Sequence, residues 1–362
     1  MSPTTPAFGK FFLPGPTDVH PDVLAAMYRP MIGHRSSAME DLLKRAAPRL
    51  QKLARTSRTV MVGTTSATGF MEMAVRSGIK KKAISIVNGS FSERFAELVS
   101  ACDKECVRLE VPLGGFVEPD QLRDALKKNP GVDAVTLAHS ETSTGVLQDV
   151  AALSKVVHEF PDVLFLVDAV TSMAGSPVET DAWDLDYVFT GSQKALALPP
   201  GLAFGVASPR MIERAKSLPS RGLYFDLITF EKASARYQPT NTPAISLFFA
   251  LDVQLGRIEA EGGIEARWKR HEDMRKTTEK WVQSRGLSYL PPEGRRSWTV
   301  SCIKMPDGKI SKDLVAAVKK EGWIIGTGYG GVKDSTFRIG HMGDHTVASL
   351  ENLLTPIQRI LG

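Results

Sequence analysis

Short apolar runs alternate with stretches of helical period through the first two-thirds of the chain. The runs Thr59–Val62, Ala83–Val87, Cys106–Val111, Ala134–Ala138 and Val163–Asp168 are rich in Val, Ile and Leu and lack a polar face. That is the pattern of strands in a mostly parallel sheet covered on both sides. Phe70–Arg76, Ser92–Ser100, Pro119–Lys127 and Val150–Glu159 fall between them with helical spacing, which predicts right-handed crossover units. Two helices, Pro21–Met27 and Ser37–Ala54, precede this region after a short irregular arm over residues 1–12. Asp186–Phe189 and Leu202–Ala207 have no long helix between them and predict antiparallel pairing, bringing the count to seven strands.

The pattern changes after Pro243. Ala244–Glu261 reads as one long helix ending at Gly262-Gly263, and Arg267–Arg285 as a second, heavily charged one. Shorter strands follow at Thr299–Lys304, Trp323–Ile325 and Thr336–Ile339, with helices Lys312–Lys320 and Thr346–Ile360. The chain therefore predicts an α/β architecture in two parts: a large domain over 13–258 and a smaller C-terminal α+β domain over 259–362.

Composition narrows the class. A chain of 362 residues with 43% hydrophobic and 23% charged residues has the make-up of a globular enzyme with a sizeable core. A formal net charge of +5 suits anionic small molecules and is too mild and too evenly spread for nucleic acid. No apolar stretch is long enough to cross a bilayer, and the start lacks the basic and apolar segments of a signal peptide. The cysteines Cys102, Cys106 and Cys302 offer neither a disulfide framework nor metal-ligand spacing. The expectation is a cytoplasmic protein without a metal.

The chemistry lies at strand ends. Lys194, in Thr190-Gly191-Ser192-Gln193-Lys194, follows one predicted strand, and Asp168 closes another. A pyridoxal phosphate site needs this pair: the lysine amine forms a Schiff base, and the carboxylate keeps the pyridine nitrogen protonated so that the ring accepts electrons. Ser66, Ala67 and Thr68 stand where a strand gives way to a helix, so free amides and the helix dipole favour an anion there. Simple N-capping by Ser or Thr is the alternative at that turn. Phe91 follows a third strand end, placed to stack on a ring or to pack in the core. Gly326-Thr327-Gly328-Tyr329-Gly330-Gly331 matches a dinucleotide fingerprint formally, but a strand rather than a phosphate-binding helix follows it; it reads as a mobile or close-approach loop.

Several motifs resemble one family in order and spacing over nearly the whole chain. They are Leu13-Pro14-Gly15-Pro16-Thr17, Gly33-His34-Arg35-Ser36, Ser66-Ala67-Thr68-Gly69, His139-Ser140-Glu141-Thr142-Ser143-Thr144-Gly145, Val167-Asp168-Ala169-Val170-Thr171-Ser172, Gly191-Ser192-Gln193-Lys194-Ala195, Asn241-Thr242-Pro243 and Phe337-Arg338-Ile339-Gly340. The chain resembles the class V, fold-type I, pyridoxal phosphate-dependent aminotransferases, in the alanine–glyoxylate and serine–pyruvate branch. The resemblance implies that Lys194 carries the cofactor and moves the substrate proton, and that Asp168 pairs with the pyridine nitrogen. Phe91 and Val170 would cover the two faces of the ring, and Thr142 would bond its phenolic oxygen. Ser66, Ala67, Thr68 and Gln193 would hold the phosphate, joined by Asn241 and Thr242 of a second subunit in a homodimer with shared sites.

For substrate, the resemblance implies that Arg338 and the Gly15 amide bind the α-carboxylate of an amino acid or 2-oxo acid. The planar guanidinium fork suits two parallel bonds to that group. His34 and Arg35 match a pair that phosphoserine aminotransferases use for substrate phosphate. A second His-Arg pair expected before Arg338 is replaced by Gly328-Tyr329-Gly330, which favours alanine or serine as donor, with glyoxylate or pyruvate as acceptor, over phosphoserine with 2-oxoglutarate. His341 reads as a satisfied polar residue. A cysteine desulfurase of the same fold would need a reactive cysteine in a late mobile loop, and Cys302 falls inside a predicted strand. A non-catalytic member of the fold would be expected to have lost Lys194 or Asp168, and both are present.

Overall fold

A computed structural model describes residues 8–362. Its larger sheet has seven strands in the order Val60–Thr64, Leu202–Ala207, Tyr187–Gly191, Leu164–Asp168, Ala134–Ala138, Lys82–Val87, Glu105–Glu110. The last five run parallel, and Leu202–Ala207 runs antiparallel to both of its neighbours. The two-sided apolar character of these strands has a simple cause. Phe165 and Val167 enter one core with Leu137, Val188 and the long helix beginning at Ile245, while Leu164 and Leu166 enter another with Phe189, Met73 and Phe95. Successive side chains alternate between two buried faces.

This topology builds the site. Two reversals of direction leave Val60–Thr64 pointing the same way as the five parallel strands. The loops after Thr64, Val87, Ala138, Asp168 and Gly191 therefore collect at one edge, where open α/β sheets place their ligands.

A second sheet of four strands follows the order Phe11–Phe12, Ile324–Thr327, Thr336–Ile339, Ser301–Lys304. Its core joins Phe12, Phe337 and Ile339 to the helices Ser311–Lys320 and Val347–Leu361. Here the arm departs from the sequence reading: Phe11 and Phe12 pair in parallel with Ile324 and Ile325. Residues 1–7 of the arm lie outside the described residues. The edge of a four-stranded sheet is completed by a segment over 300 residues away, a long-range pairing that local pattern cannot reveal.

Other differences are local. Helices Pro209–Lys216 and Leu227–Ser234, and the small hairpin of Ser140–Glu141 with Val146–Leu147, were not anticipated. The first helix does carry a start signal, Ser208 capping the Met211 amide with Pro209 in the first turn, but two turns are too short for periodicity to show. The second long helix starts at Gly263 rather than Arg267. Gly262 takes φ 110° as its N-cap, so one glycine pair ends a helix and opens the next. Among the described residues no helix is long and apolar enough to cross a membrane.

Candidate active site

Lys194 and Asp168 are both buried at the edge where the loops collect. The Lys194 amine donates to the Pro14 carbonyl and lies 5.6 Å from the centre of the Phe91 ring. Its stem passes so close to Gly15 that a side chain there would come within 2.5 Å of it, and Gly15 has φ 108°; only glycine suits both demands. Burial, then the nearby Arg338 charge, pulls the Lys194 amine down to about 7 against the partial opposition of Asp168 and Glu141.

Asp168 closes its strand and accepts the Val170 amide on Oδ1 at 2.8 Å. No ion pair reaches it from the described residues, and burial pushes its carboxyl up to about 7. A buried carboxylate with a free oxygen is costly unless a donor meets it.

Arg338 is buried on the strand Thr336–Ile339. Its Nε donates to the Thr327 carbonyl at 2.9 Å and its Nη1 to the Thr142 carbonyl at 3.0 Å. A guanidinium has five N–H donors, so these bonds fix the plane of the group and leave a face of the fork unused. Among the described residues no carboxylate pairs with it. The Tyr329 ring lies 5.4 Å from it, and burial lowers its pKa against the partial opposition of Cys302, Glu141 and Tyr329. A buried, oriented guanidinium without a carboxylate partner has the chemistry to receive one.

Phe91 sits in the first turn of the helix Ser90–Ala101, half-buried, and stacks on Tyr329 at 6.0 Å and 23°. It therefore lies at the cleft rather than in the core. Thr142 is buried with its hydroxyl against that of Thr171, and Val170 stands half-buried just past Asp168. At the turn Ser66-Ala67-Thr68, Ser66 occupies the N-cap of Ala67–Gly78 but its side chain makes no capping bond. The Gly69 amide donates to the Ser66 carbonyl at 2.9 Å; the amides of Ala67 and Thr68, which have no acceptor inside a helix, are left for another partner. The Gln193 amide oxygen and the Ala67 methyl both flank Gly191, so Gln193 is brought to the same turn.

Four residues are not brought to this cleft. His34 and Arg35 bond to each other at 3.2 Å on an exposed loop, and Asn241 and Thr242 are exposed, the Asn241 side chain donating to the Thr240 hydroxyl at 3.3 Å. His341 is buried against the Ser301 hydroxyl at 2.8 Å. Cys302 lies across the strand pair from Arg338, fully buried, with its thiol pushed up by burial to about 11. It is neither mobile nor acidic enough for thiolate chemistry.

Two residues of the site escaped the sequence reading. Glu141 is wholly buried, and its carboxylate accepts the amides of Phe91 (3.1 Å), Ser92 (2.9 Å) and Ser143 (3.0 Å) and the hydroxyls of Ser92 (3.0 Å) and Ser143 (2.6 Å). It ties the helix start bearing Phe91 to the hairpin bearing Thr142, at the end of the helix where negative charge is favoured. Tyr329 closes the cleft from the C-terminal sheet, touching both Phe91 and Arg338. An unbroken polar run that folds into the interior, and an aromatic inside a glycine-rich loop, were the available signals.

Residues 21–349 match the family Aminotransferase class-V, and the chain belongs to that family. An uncharacterized aminotransferase of Methanocaldococcus jannaschii is 38% identical over 336 residues, covering 91% of this chain and 87% of its own. The L-aspartate–glyoxylate aminotransferase of Paracoccus denitrificans is 31% identical over 347 residues, covering 93% of this chain and 87% of its own. Among solved structures, an alanine–glyoxylate aminotransferase from Nostoc sp. superposes with a TM-score of 0.92 at 26% identity, covering 100% of this chain and 97% of that one. The fold is that of fold-type I aminotransferases, and the protein is a pyridoxal phosphate-dependent transaminase.

The residues present fit that cofactor. Lys194 offers an amine already shifted toward its neutral form, Asp168 has an oxygen waiting for a donor, and an uncapped helix start faces the same edge. When bound, pyridoxal phosphate supplies an aldehyde carbon for the amino group and a protonated ring that draws electrons from the substrate α-carbon.

Proposed function

We propose that the protein moves the amino group of a small amino acid, alanine or serine, onto a 2-oxo acid, glyoxylate or pyruvate. The observation that carries this is Arg338, a buried guanidinium without a carboxylate partner, set in one cleft with the buried amine of Lys194. In this reading Arg338 and the Gly15 amide bind the α-carboxylate. Lys194 takes the proton from the substrate α-carbon and returns it, helped by an amine that is half-neutral near pH 7. Asp168 accepts a hydrogen bond from the ring nitrogen. Phe91 and Val170 cover the ring, Thr142 turns its hydroxyl to the phenolic oxygen, and Ser66, Ala67, Thr68 and Gln193 hold the phosphate.

Glyoxylate as acceptor is supported by the names of the Paracoccus and Nostoc relatives. A small donor is supported by Tyr329, whose ring stands where a second phosphate-binding pair would be needed and spans from Phe91 to Arg338. A donor held by its carboxylate on Arg338 and reacting beside Phe91 lies under that ring. Steady-state kinetics with alanine, serine, aspartate and phosphoserine against glyoxylate, pyruvate and 2-oxoglutarate test this. Alanine or serine with glyoxylate is expected to exceed phosphoserine with 2-oxoglutarate by at least about tenfold in kcat/KM, 1.4 kcal/mol. The reverse order overturns the donor assignment and leaves the transaminase standing.

A second reading, with aspartate as donor, is favoured by Arg94. Its guanidinium lies 5.2 Å from the Phe91 ring, forms no ion pair among the described residues, and adds positive field at Asp168. If it receives a side-chain carboxylate, Arg94→Gln raises KM for aspartate and leaves KM for alanine unchanged.

The active unit in this proposal is a homodimer. Tyr28, Met31, Leu223 and Tyr224 are exposed large apolar side chains, Tyr28 by 90% and Leu223 by 94%. They accompany the exposed loops of His34-Arg35 and Asn241-Thr242, as expected of a surface that a second copy covers. Asn241 and Thr242 would then reach the partner's phosphate. Thr242→Ala is expected to weaken cofactor retention by about 1.5–3 kcal/mol, one hydrogen bond to a charged group. Sedimentation with a cofactor titration checks this; a monomer with full occupancy contradicts it.

A further inference from the structure

The turn that carries Lys194 is strained and held from outside. Ala197, three residues on, has φ 54°, a left-handed conformation that is unfavourable for a non-glycine residue and persists only when its surroundings enforce it. The enforcement comes from the two long helices Ile245–Ala260 and Gly263–Ser284. Arg267, 1% exposed, donates from Nε (3.2 Å) and Nη2 (2.7 Å) to the Ala195 carbonyl. Gln254, wholly buried, donates to the Leu196 carbonyl at 3.0 Å. Both also meet Asp344, Arg267 Nη1 at 3.0 Å and Gln254 Nε2 at 3.1 Å. Burial would raise the Asp344 carboxyl, but Arg267 and these bonds overcome it and hold it below its ordinary value.

Asp344 belongs to the segment that follows Arg338. Its neighbour Gly343 donates its amide to His271 Nε2 at 3.1 Å and gives its carbonyl to Arg270 at 2.8 Å. His271 Nδ1 bonds the Arg267 carbonyl at 2.7 Å. With Nε2 accepting, the Nδ1 nitrogen must carry the proton, so the ring is neutral, in line with burial depressing its pKa strongly. One hop earlier, the Met342 carbonyl accepts the Thr17 hydroxyl (3.3 Å), and the Thr17 amide donates to the Gln193 carbonyl (3.0 Å). The residues on either side of Lys194 are thus bound to the stretch just beyond the carboxylate-binding strand.

We propose that Arg267 and Gln254 are positioning residues that, through Asp344, fix the Lys194 turn relative to the segment after Arg338. Neither side chain reaches Lys194 itself. Their effect is to set where the amine stands with respect to the carboxylate held 144 positions later in the chain. The proposal rests on Lys194 being the cofactor-bearing amine.

Arg267→Lys tests it. Lysine keeps a charge for Asp344 and for Glu261, which Arg267 Nη1 also meets at 3.1 Å, but lacks the fork that grips one carbonyl twice while reaching an acid. The variant is expected to fold, to release cofactor about tenfold faster, and to show a displaced pH midpoint of bound-cofactor absorbance. Its kcat falls about tenfold while KM for the amino donor stays put, the effect of a misplaced group rather than a lost binding contact. Gln254→Met is the second variant, removing the Leu196 bond without touching the arginine, and is expected to move the same midpoint by less. Arg214→Lys is the control. Arg214 also holds backbone carbonyls, those of Gly78, Asp133 and Asp162, far from Lys194 in the chain, and its loss should lower Tm without moving the absorbance midpoint or the release rate. If Arg267→Lys and Gln254→Met keep the wild-type midpoint and release rate, or if Arg214→Lys moves them equally, the positioning role is overturned. A wild-type protein without a borohydride-sensitive cofactor absorbance would instead sink the Lys194 assignment beneath it.

Discussion

Lys194→Ala is expected to abolish transamination with every donor, by at least about 10⁴-fold, since in the proposed reading it removes covalent attachment and proton transfer together. The fold should survive. The lysine stem occupies the cleft against Gly15 and Phe91 rather than a hydrophobic core, and its amine is shifted because burial disfavours its charge. Borohydride reduction followed by peptide mass analysis should find the cofactor on Lys194 in the wild type and on no lysine in the variant. Near-normal turnover with alanine or serine would remove Lys194 from the mechanism.

The shifted amine also fixes the sign of a pH effect. The folded-state value near 7 lies below the ordinary 10.5, so between those limits the unfolded chain binds the extra proton and stability rises with pH. Below about 7 the folded cofactor-free chain carries a buried ammonium. There Lys194→Ala is expected to melt higher than the wild type, with the advantage fading toward pH 10. Asp168 acts in the opposite sense. Its value is raised from 3.8 to about 7, so its cost appears as pH rises through that window, and Asp168→Asn should gain most above 7. Uptake of pyridoxal phosphate by the cofactor-free chain should accelerate through about pH 7 and then level off. A rise continuing toward pH 10 would mean a solvated amine.

Strand-level features of the site were legible because strand ends and chemistry coincide in this architecture. Asp168 and Lys194 each follow an apolar run, and parallel strands bring such ends to one edge whatever their sequence separation. The turn Ser66-Ala67-Thr68 left two physical readings open, cap or anion site, and the missing side-chain bond at Ser66 counts against the side-chain cap alone. Contacts without local periodicity were out of reach. The pairing of Phe11–Phe12 with Ile324–Ile325, the five donors on Glu141 and the clamp of Arg267 on Ala195 each join segments whose own sequence predicts nothing about the partner. Arg267 in particular reads as one more charge on a charged helix, yet it is among the most buried side chains of the protein. Charge on a helix predicts solvent only when the helix has a solvent face at that position.

Arg338→Lys is expected to cut kcat/KM for every amino acid and 2-oxo acid by roughly 10–100-fold, the loss of a charge-assisted bond and of the fork that aligns it. The reason lies in how the guanidinium is held. Two of its donors are committed to the Thr327 and Thr142 carbonyls, which orient the remaining N–H groups without consuming them. A lysine ammonium reaching the same depth cannot satisfy both carbonyls and still present two parallel donors to a carboxylate. Those carbonyls belong to the end of the strand Ile324–Thr327, just before Tyr329, and to the hairpin bearing Thr142, so some loss of Tm is expected as well, and activity alone would not separate binding from stability. A simple alkylamine without a carboxylate makes the separation. The wild type should prefer alanine over ethylamine strongly, and Arg338→Lys should erode that preference while changing the ethylamine rate little. If both amines lose rate equally, Arg338 acts through the fold and the carboxylate is held elsewhere; if only one amino acid donor suffers, the guanidinium reads a side chain rather than the group that all of these substrates share.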